Sequence, residues 1–355
     1  MEVIQHSQTF LSDEDIAAAV SVLKSGIIND SDTTARFERE FAGYTGARWA
    51  RATSTGTLAL YLALRALDIK AGSEVILPAY VCDDGLSAIR FAGVTPRLAD
   101  ISLDDFNIDP VDVARKVTEN TRAILCPHMF GMPARLSELT KLNVPVIEDC
   151  AHSIGATYQG KRVGALGTLS CFSFQALKIL TTGEGGMVVT SDPELWERLE
   201  HYDSPDLDAG EFTLTFHLSN ILSAIGLSQL RRFEASLVRR QEIARTYEQG
   251  LQGLGLVLPK QWILDRTSSS LRYCVMIREG YAVEEVCEAF ASKGIIVRRP
   301  VKRVLHGIRG LEGDYCPNAQ YAYDHVISLP AHLRIMSGDQ LRIIEAAQRI
   351  FSCKR

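Results

Sequence analysis

The chain has 355 residues, 46% of them hydrophobic and 23% charged, which suits two folded units with separate cores and leaves little room for disorder. A formal net charge of −5 excludes a broad basic surface, so a small molecule is the expected partner and nucleic acid is not. The eight cysteines, at 82, 126, 150, 171, 274, 287, 316 and 353, form no Cys-x-x-Cys pair and read as reduced thiols of a cytoplasmic protein; no metal, secretion signal or membrane span is expected.

Ser12, followed by Asp13, Glu14 and Asp15, opens an apolar-periodic stretch that ends before Gly26, which predicts an N-terminal helix. From Arg48 to about Thr190, short apolar runs alternate with helical patterns. Strands are expected at Glu74 to Pro78, Thr121 to Cys126, Val144 to Ile147 and Thr168 to Phe174, with helices such as Thr57 to Leu67 and Arg135 to Leu142 between them. Strands that are apolar throughout predict an α/β fold, a mostly parallel sheet flanked by helices.

Three stretches within this region carry chemistry. Ala52 to Leu60 places hydroxyls and Gly56 just before a helical run, where free backbone N–H groups can seat a phosphate, although Ser and Thr are also ordinary caps. The run from Val144 ends in Glu148 and Asp149, which a parallel strand would deliver to the carboxyl edge of the sheet. Side chains alternate along a strand, so only one of the two acids can face a ligand there. Lys178 follows an apolar strand and precedes the glycine-rich Gly183 to Gly186. Desolvated, such a lysine has a lowered pKa suited to Schiff-base chemistry; taken singly, a surface lysine is the commoner case.

A long helical pattern from about Asn220 to Leu251 is expected to bridge two domains. Beyond Gly253 to Pro259 the pattern restarts with a strand at Leu271 to Ile277, a helix at Val283 to Ser292, a strand at Ile295 to Val301 and a closing helix after Ser337, where Ser337 and Gln340 have capping-box spacing. The expected division is a large domain over residues 1–250, including the N-terminal and bridging helices, and a small C-terminal α+β domain over residues 251–355.

A phosphate seat, an acid at a strand end and a later lysine, in that order, are what a phosphorylated pyridine aldehyde requires for anchoring, ring-nitrogen protonation and covalent capture. With Ser54 to Leu60, Phe106 to Pro110, Val146 to His152, Gly164 to Gly167, Cys171 to Lys178, Thr181 to Gly186 and Ala224 to Leu230, the chain resembles the DegT-type (DegT/DnrJ/StrS) sugar aminotransferases over nearly its whole length. These are fold-type-I enzymes dependent on pyridoxal 5'-phosphate (PLP). The resemblance implies that Lys178 forms the Schiff base and shuttles a proton, that Asp149 pairs with the pyridinium nitrogen, and that His152 lies near the phenolic oxygen. It implies phosphate contacts from Thr55, Gly56, Thr57 and Ser173. Cys82 stands where many members stack an aromatic ring on the cofactor, with Tyr80 nearby, and Ile179 replaces a common Asn. His217 holds the place of an Asn or Arg that reaches the partner subunit's phosphate, so a homodimer with shared active sites is implied. The implied reaction moves an amino group from an amino acid, with L-glutamate as the expected donor, to a nucleotide-linked keto-sugar. A keto-cyclitol or other carbonyl acceptor, or a PLP-dependent lyase or dehydratase on the same fold, is the alternative. A lysine at 178 argues against the dehydratase branch, where a histidine takes that position.

Overall fold

Ser12 accepts from the Asp15 N–H while Asp15 accepts from that of Ser12, and this capping box starts α1 (Asp13–Ser25) as expected; Gly26, at φ 73°, ends it. The computed structural model describes residues 2–202, 215–263, 265–311 and 313–352, so Cys353 lies outside the described residues. α2 (Asp32–Thr45) leads into β1 (Trp49–Thr53), α3 (Gly56–Ala66), β2 (Glu74–Pro78), α4 (Asp83–Phe91), β3 (Thr95–Ala99), α5 (Pro110–Lys116), β4 (Thr121–Pro127), α6 (Leu136–Leu139) and β5 (Val146–Asp149). The short β6 (Thr157–Tyr158) and β7 (Lys161–Arg162) precede β8 (Leu169–Ser173), β9 (Gly186–Thr190) and α7 (Pro193–His201).

Seven of these strands form one sheet in the order β1-β9-β8-β5-β4-β2-β3. Neighbours from β8 through β5, β4 and β2 to β3 pair in parallel, whereas β9 is antiparallel to both β1 and β8. Two cores explain why the strands are apolar throughout. Val75, Leu77, Ile147, Cys171 and Val188 face the α3 and α4 side, while Ile76, Val146, Phe172, Met187 and Val189 face Phe37 and Phe41 of α2 on the other.

The expected long helix is two helices, α8 (Asn220–Arg231) and α9 (Phe233–Gly250). The break falls at Arg232, at φ −110° and ψ 12°, whose guanidinium reaches back to the buried carboxylate of Asp15 on α1. No Gly or Pro marks the site, where this tertiary ion pair anchors the chain. The remaining elements are β10 (Trp262–Ile263), β11 (Arg266–Thr267), β12 (Tyr273–Met276), α10 (Val283–Ala291), α11 (Pro317–His325), β13 (Val326–Leu329) and α12 (Ser337–Ser352). The partner of β12 is β13, a strand missing from the sequence reading. The strand expected at Ile295 to Val301 is instead an irregular segment held by single bridges, Ile4 with Ile295 and Arg298 with Ser328. Nor do Ser337 and Gln340 form a capping box: Asp339 accepts from the Met336 N–H at 3.1 Å, and the buried Gln340 amide donates to the Ile243 carbonyl at 3.2 Å.

Packing crosses residue 250. Ile4 and the second half of α9, from Ile243 to Leu251, share a core with β12, β13, α10 and α12. Val301, Val304, Leu305, Leu311 and Ala319 join the core beneath α3 and α4.

Candidate active site

The carboxyl ends of β4, β5 and β8 and the N-terminus of α3 surround a cavity of about 400 Å³. Thr55 caps α3 by accepting from the Leu58 N–H at 3.2 Å, which leaves the first backbone N–H groups of that helix open to the cavity. Gly56 is required at that point: a Cβ there would lie 2.8 Å from the Cβ of Ser173, so no other residue permits so close an approach of helix and strand. The Thr57 hydroxyl donates to Asp84 at 3.1 Å, across the mouth of α4.

Asp149 ends β5 with a single hydrogen bond, accepted from the Ala151 N–H at 3.0 Å, and its carboxylate lines the cavity. Burial raises its pKa, and the nearby Lys178 opposes that rise. Lys178 sits in a turn closed by its own N–H donating to the Gln175 carbonyl at 2.9 Å, and Thr9 of the N-terminal segment donates to the Ala176 carbonyl at 2.8 Å. Burial lowers the pKa of the lysine, against the pull of Cys82 and Asp149. His152 is held far below its ordinary pKa by burial, then by the charges of Lys178 and Arg272, so its ring is neutral; it lies against Phe130 with the rings 19° apart. The cavity therefore combines anion-seating N–H groups, an acid free to accept a proton-bearing nitrogen, and an amine whose pKa burial lowers.

Glu148 serves a different purpose. Fully buried on the opposite face of β5, it accepts from the His128 ring at 3.0 Å, from the backbone N–H groups of Gly164, Leu166 and Gly167 at 3.1, 2.8 and 2.6 Å, and from Ser170 at 2.8 Å. Burial alone would raise its pKa, but these donors outweigh it and hold the carboxyl below its usual range. His128 also accepts from the Ala134 N–H at 3.0 Å, which makes it a neutral ring donating through Nε2. Cys150 lies close to both, yet every lone pair of that acid is already engaged, so the trio reads as framework and not as a metal centre.

Eight of the nine residues expected at the site line this one cavity: Thr55, Gly56, Thr57, Cys82, Asp149, His152, Ser173 and Lys178. The ninth, His217, does not; its Nδ1 pairs with Asp30 at 3.1 Å. Tyr80 is no substitute for a stacking ring, being fully buried between Phe106 and Phe130, and Val81 and Cys82 form the wall there. Burial pushes the Cys82 thiol up, so that wall is neutral. Sequence reasoning missed Gln175, Asp84 and Arg272, which also line the cavity. Arg272 alone had a signal, a lone charge before an apolar strand.

The same order of elements recurs in known proteins. The DegT/DnrJ/EryC1/StrS aminotransferase family model matches residues 10–348. The chain belongs to that family. It is 33% identical over 331 residues to the GDP-perosamine synthase of Escherichia coli O157:H7, covering 90% of each chain. Among solved structures, the sugar aminotransferase CalS13 from Micromonospora echinospora is 27% identical, with a TM-score of 0.89 over 99% of this chain and 100% of that one. Spr1654 from Streptococcus pneumoniae, solved in a PLP form, is 25% identical, with a TM-score of 0.92 over 99% of each chain. As a member, this protein is a PLP-dependent aminotransferase. Its cavity fits that cofactor: the Gly56 and Ser173 contact opens a cradle that a Cβ would fill, and Asp149 keeps acceptor capacity for a ring nitrogen.

Proposed function

We propose that this enzyme transfers an amino group from an amino acid, L-glutamate in the first instance, to the carbonyl of a nucleotide-linked keto-sugar. The observation that carries the reading is the convergence of Lys178, Asp149 and the α3 N-terminus on one cavity, in a chain similar to GDP-perosamine synthase and to sugar aminotransferases. Bound there, PLP would supply the carbonyl that exchanges amino groups and an electron sink for that exchange. Lys178 holds the cofactor and then moves a proton at the substrate carbon, a task to which its lowered pKa suits it. Asp149 holds the proton on the ring nitrogen. Neutral His152 would orient the ring's oxygen edge, Thr55, Gly56, Thr57 and Ser173 would seat the phosphate, and Cys82 would bound the ring. The test is incubation with labelled glutamate and a panel of nucleotide-linked keto-sugars, read by mass spectrometry. Label is expected in an aminated sugar nucleotide. Label entering only unlinked keto-cyclitols would move the acceptor class, and release of ammonia without transfer would favour the lyase alternative.

The same reading includes a homodimer with shared sites, a large domain over residues 1–250, a small one over 251–355, and a cytoplasmic location, which the free thiols of the described cysteines support. Ile16, Leu23 and Ile27 are more than half exposed, at 53%, 54% and 57%, and form an apolar patch on and after α1 that an isologous partner would cover. Asn220, three residues after His217, is tied to that segment through the Ile27 and Ile28 carbonyls, which supports a role for His217 at the edge of such an interface. Mixing Lys178→Ala and His217→Ala chains and allowing subunit exchange is expected to restore about a quarter of wild-type activity, because half the dimers then hold one intact site. No gain from a mixture whose heterodimers are visible by native mass spectrometry would refute the shared site.

A further inference from the structure

Arg272 stands immediately before β12 and lines the cavity together with Lys178 and His152. Its Nε is buried without a hydrogen-bond partner, and its guanidinium makes no ion pair among the described residues. A cation partly taken from water without a counter-charge is costly, and the two most buried arginines of the described residues offset that cost with charge or with backbone acceptors. Arg266 meets Asp105 at 2.5 Å, and Arg240 donates to the Leu271 and Ala331 carbonyls at 3.1 and 2.7 Å.

The loop that carries Arg272 is firmly held. Its N–H donates to the Phe130 carbonyl at 3.3 Å, the Ser269 N–H donates to that of Gly131 at 3.0 Å, and the Ser269 hydroxyl donates to the His152 carbonyl at 3.0 Å. Phe130 and Ser270 adopt positive φ, 58° and 54°, and Gly131 sits at 108° where a Cβ would lie 2.6 Å from Ser269 Oγ. Two strained turns locked to each other and to the His152 turn fix the approach of the guanidinium to the cavity. Behind it lies a small cavity whose lining includes His6, Arg240 and His332 and no acid. His6 there is pushed down to about 3 by burial and by the charges of Arg272, Arg298 and His332. Among the described residues that line this second cavity, the two arginines meet no acid.

We infer that Arg272 binds the α-carboxylate of the amino donor, an inference that rests on the aminotransferase reading above. A guanidinium fork matches a carboxylate with two parallel N–H donors. Both the carboxylate of a donor and the diphosphate of a nucleotide-linked acceptor have the right charge, but they differ in reach. The α-carboxylate is attached to the same carbon as the amino group, so it must lie beside the atom that Lys178 serves. A diphosphate is separated from the reacting carbonyl by the sugar ring and extends toward the cavity mouth. Arg272 lines the same cavity as Lys178, which favours the carboxylate.

The experiment follows the cofactor's absorbance in single turnovers of holoenzyme with L-glutamate and with its α-amide, which lacks the α-carboxylate charge. Arg272→Gln is expected to raise the apparent Kd for glutamate roughly 30-fold, to change that for the α-amide by less than about threefold, and to leave the acceptor KM within about threefold. Arg272→Lys, which keeps the charge and loses the fork, is expected to weaken glutamate about tenfold and carries the test if the glutamine variant does not fold. Equal weakening of both donors would mean that Arg272 only supports the fold. Weakening confined to the acceptor half-reaction would assign it to the diphosphate, and unchanged kinetics would leave it without a substrate; each outcome overturns the inference. If wild-type enzyme responds to no amino donor at all, the aminotransferase reading itself fails, a result distinct from the other three.

Discussion

Lys178→Ala is expected to lower turnover by about 10⁴-fold or more and to remove the visible absorbance of lysine-bound cofactor, while the folded protein persists. The first expectation follows from position: Lys178 is the amine that lines the cavity, and no other lysine lies among its lining residues. A side chain without nitrogen can neither hold the cofactor nor carry a proton at the substrate carbon. Retention of the fold follows from the direction of the lysine's shift. Its pKa is lowered in the fold, so the protein opposes the charged form that the unfolded chain carries at neutral pH, and removing the amine relieves that opposition. The thermal midpoint of the variant without cofactor should therefore equal or exceed that of the wild type stripped of cofactor. A variant that keeps the absorbance would show that another amine serves, and one that melts well below the wild type would make the loss of turnover a folding defect.

Much of the catalytic wall could be read from the chain because it lies at ends of elements with strong local signals. β5 ends in Asp149 and β8 ends in Ser173, and the apolar residues before them on each strand are shared between two separate cores. The α3 N-terminus announces itself by Thr55 and Gly56. What escaped the sequence was set by distant partners. The helix break falls at Arg232, which is anchored to Asp15 on α1, and β13 was missed because its pairing with β12 spans some fifty residues of chain. Segment 295–301 has strand-like composition but finds only single bridges, so composition overstated it. Arg272 had only a faint local signal, a charge before an apolar strand, because its buried and unpartnered Nε is a property of the folded surroundings.

Replacing the two neighbouring acids of β5 should give opposite failures. In Asp149→Asn the amide can still contact a ring nitrogen but cannot hold its proton by charge; turnover is expected to fall by about 10²- to 10³-fold with cofactor still bound, since a general acid–base or charge-stabilising group contributes on that order. Stability should change little, because Asp149 has one hydrogen bond, from the Ala151 N–H, which the asparagine oxygen also accepts. In Glu148→Gln the new NH₂ faces the donors that Oε1 or Oε2 now satisfies, whichever way the amide turns. With the oxygen kept at Leu166, Gly167 and Ser170, the NH₂ meets the Gly164 N–H and the Nε2–H of His128. His128 cannot relieve the clash by moving its proton, because its Nδ1 already accepts from Ala134. A loss of about 3 kcal/mol of stability is expected, the range for an unsatisfied buried donor set around a removed charge. The pH dependence separates the cases further. Glu148 is held below its ordinary pKa in the fold, so its contribution is present above the ordinary carboxylate range and is lost as pH falls through the lowered value. The wild type should thus lose stability on acidification by a step that Glu148→Gln lacks and Asp149→Asn retains. Thermal melts of the three proteins across acidic pH, paired with turnover at neutral pH, test both halves; comparable melting points with equal loss of turnover in the two variants would mean that the faces of β5 have been assigned the wrong way round.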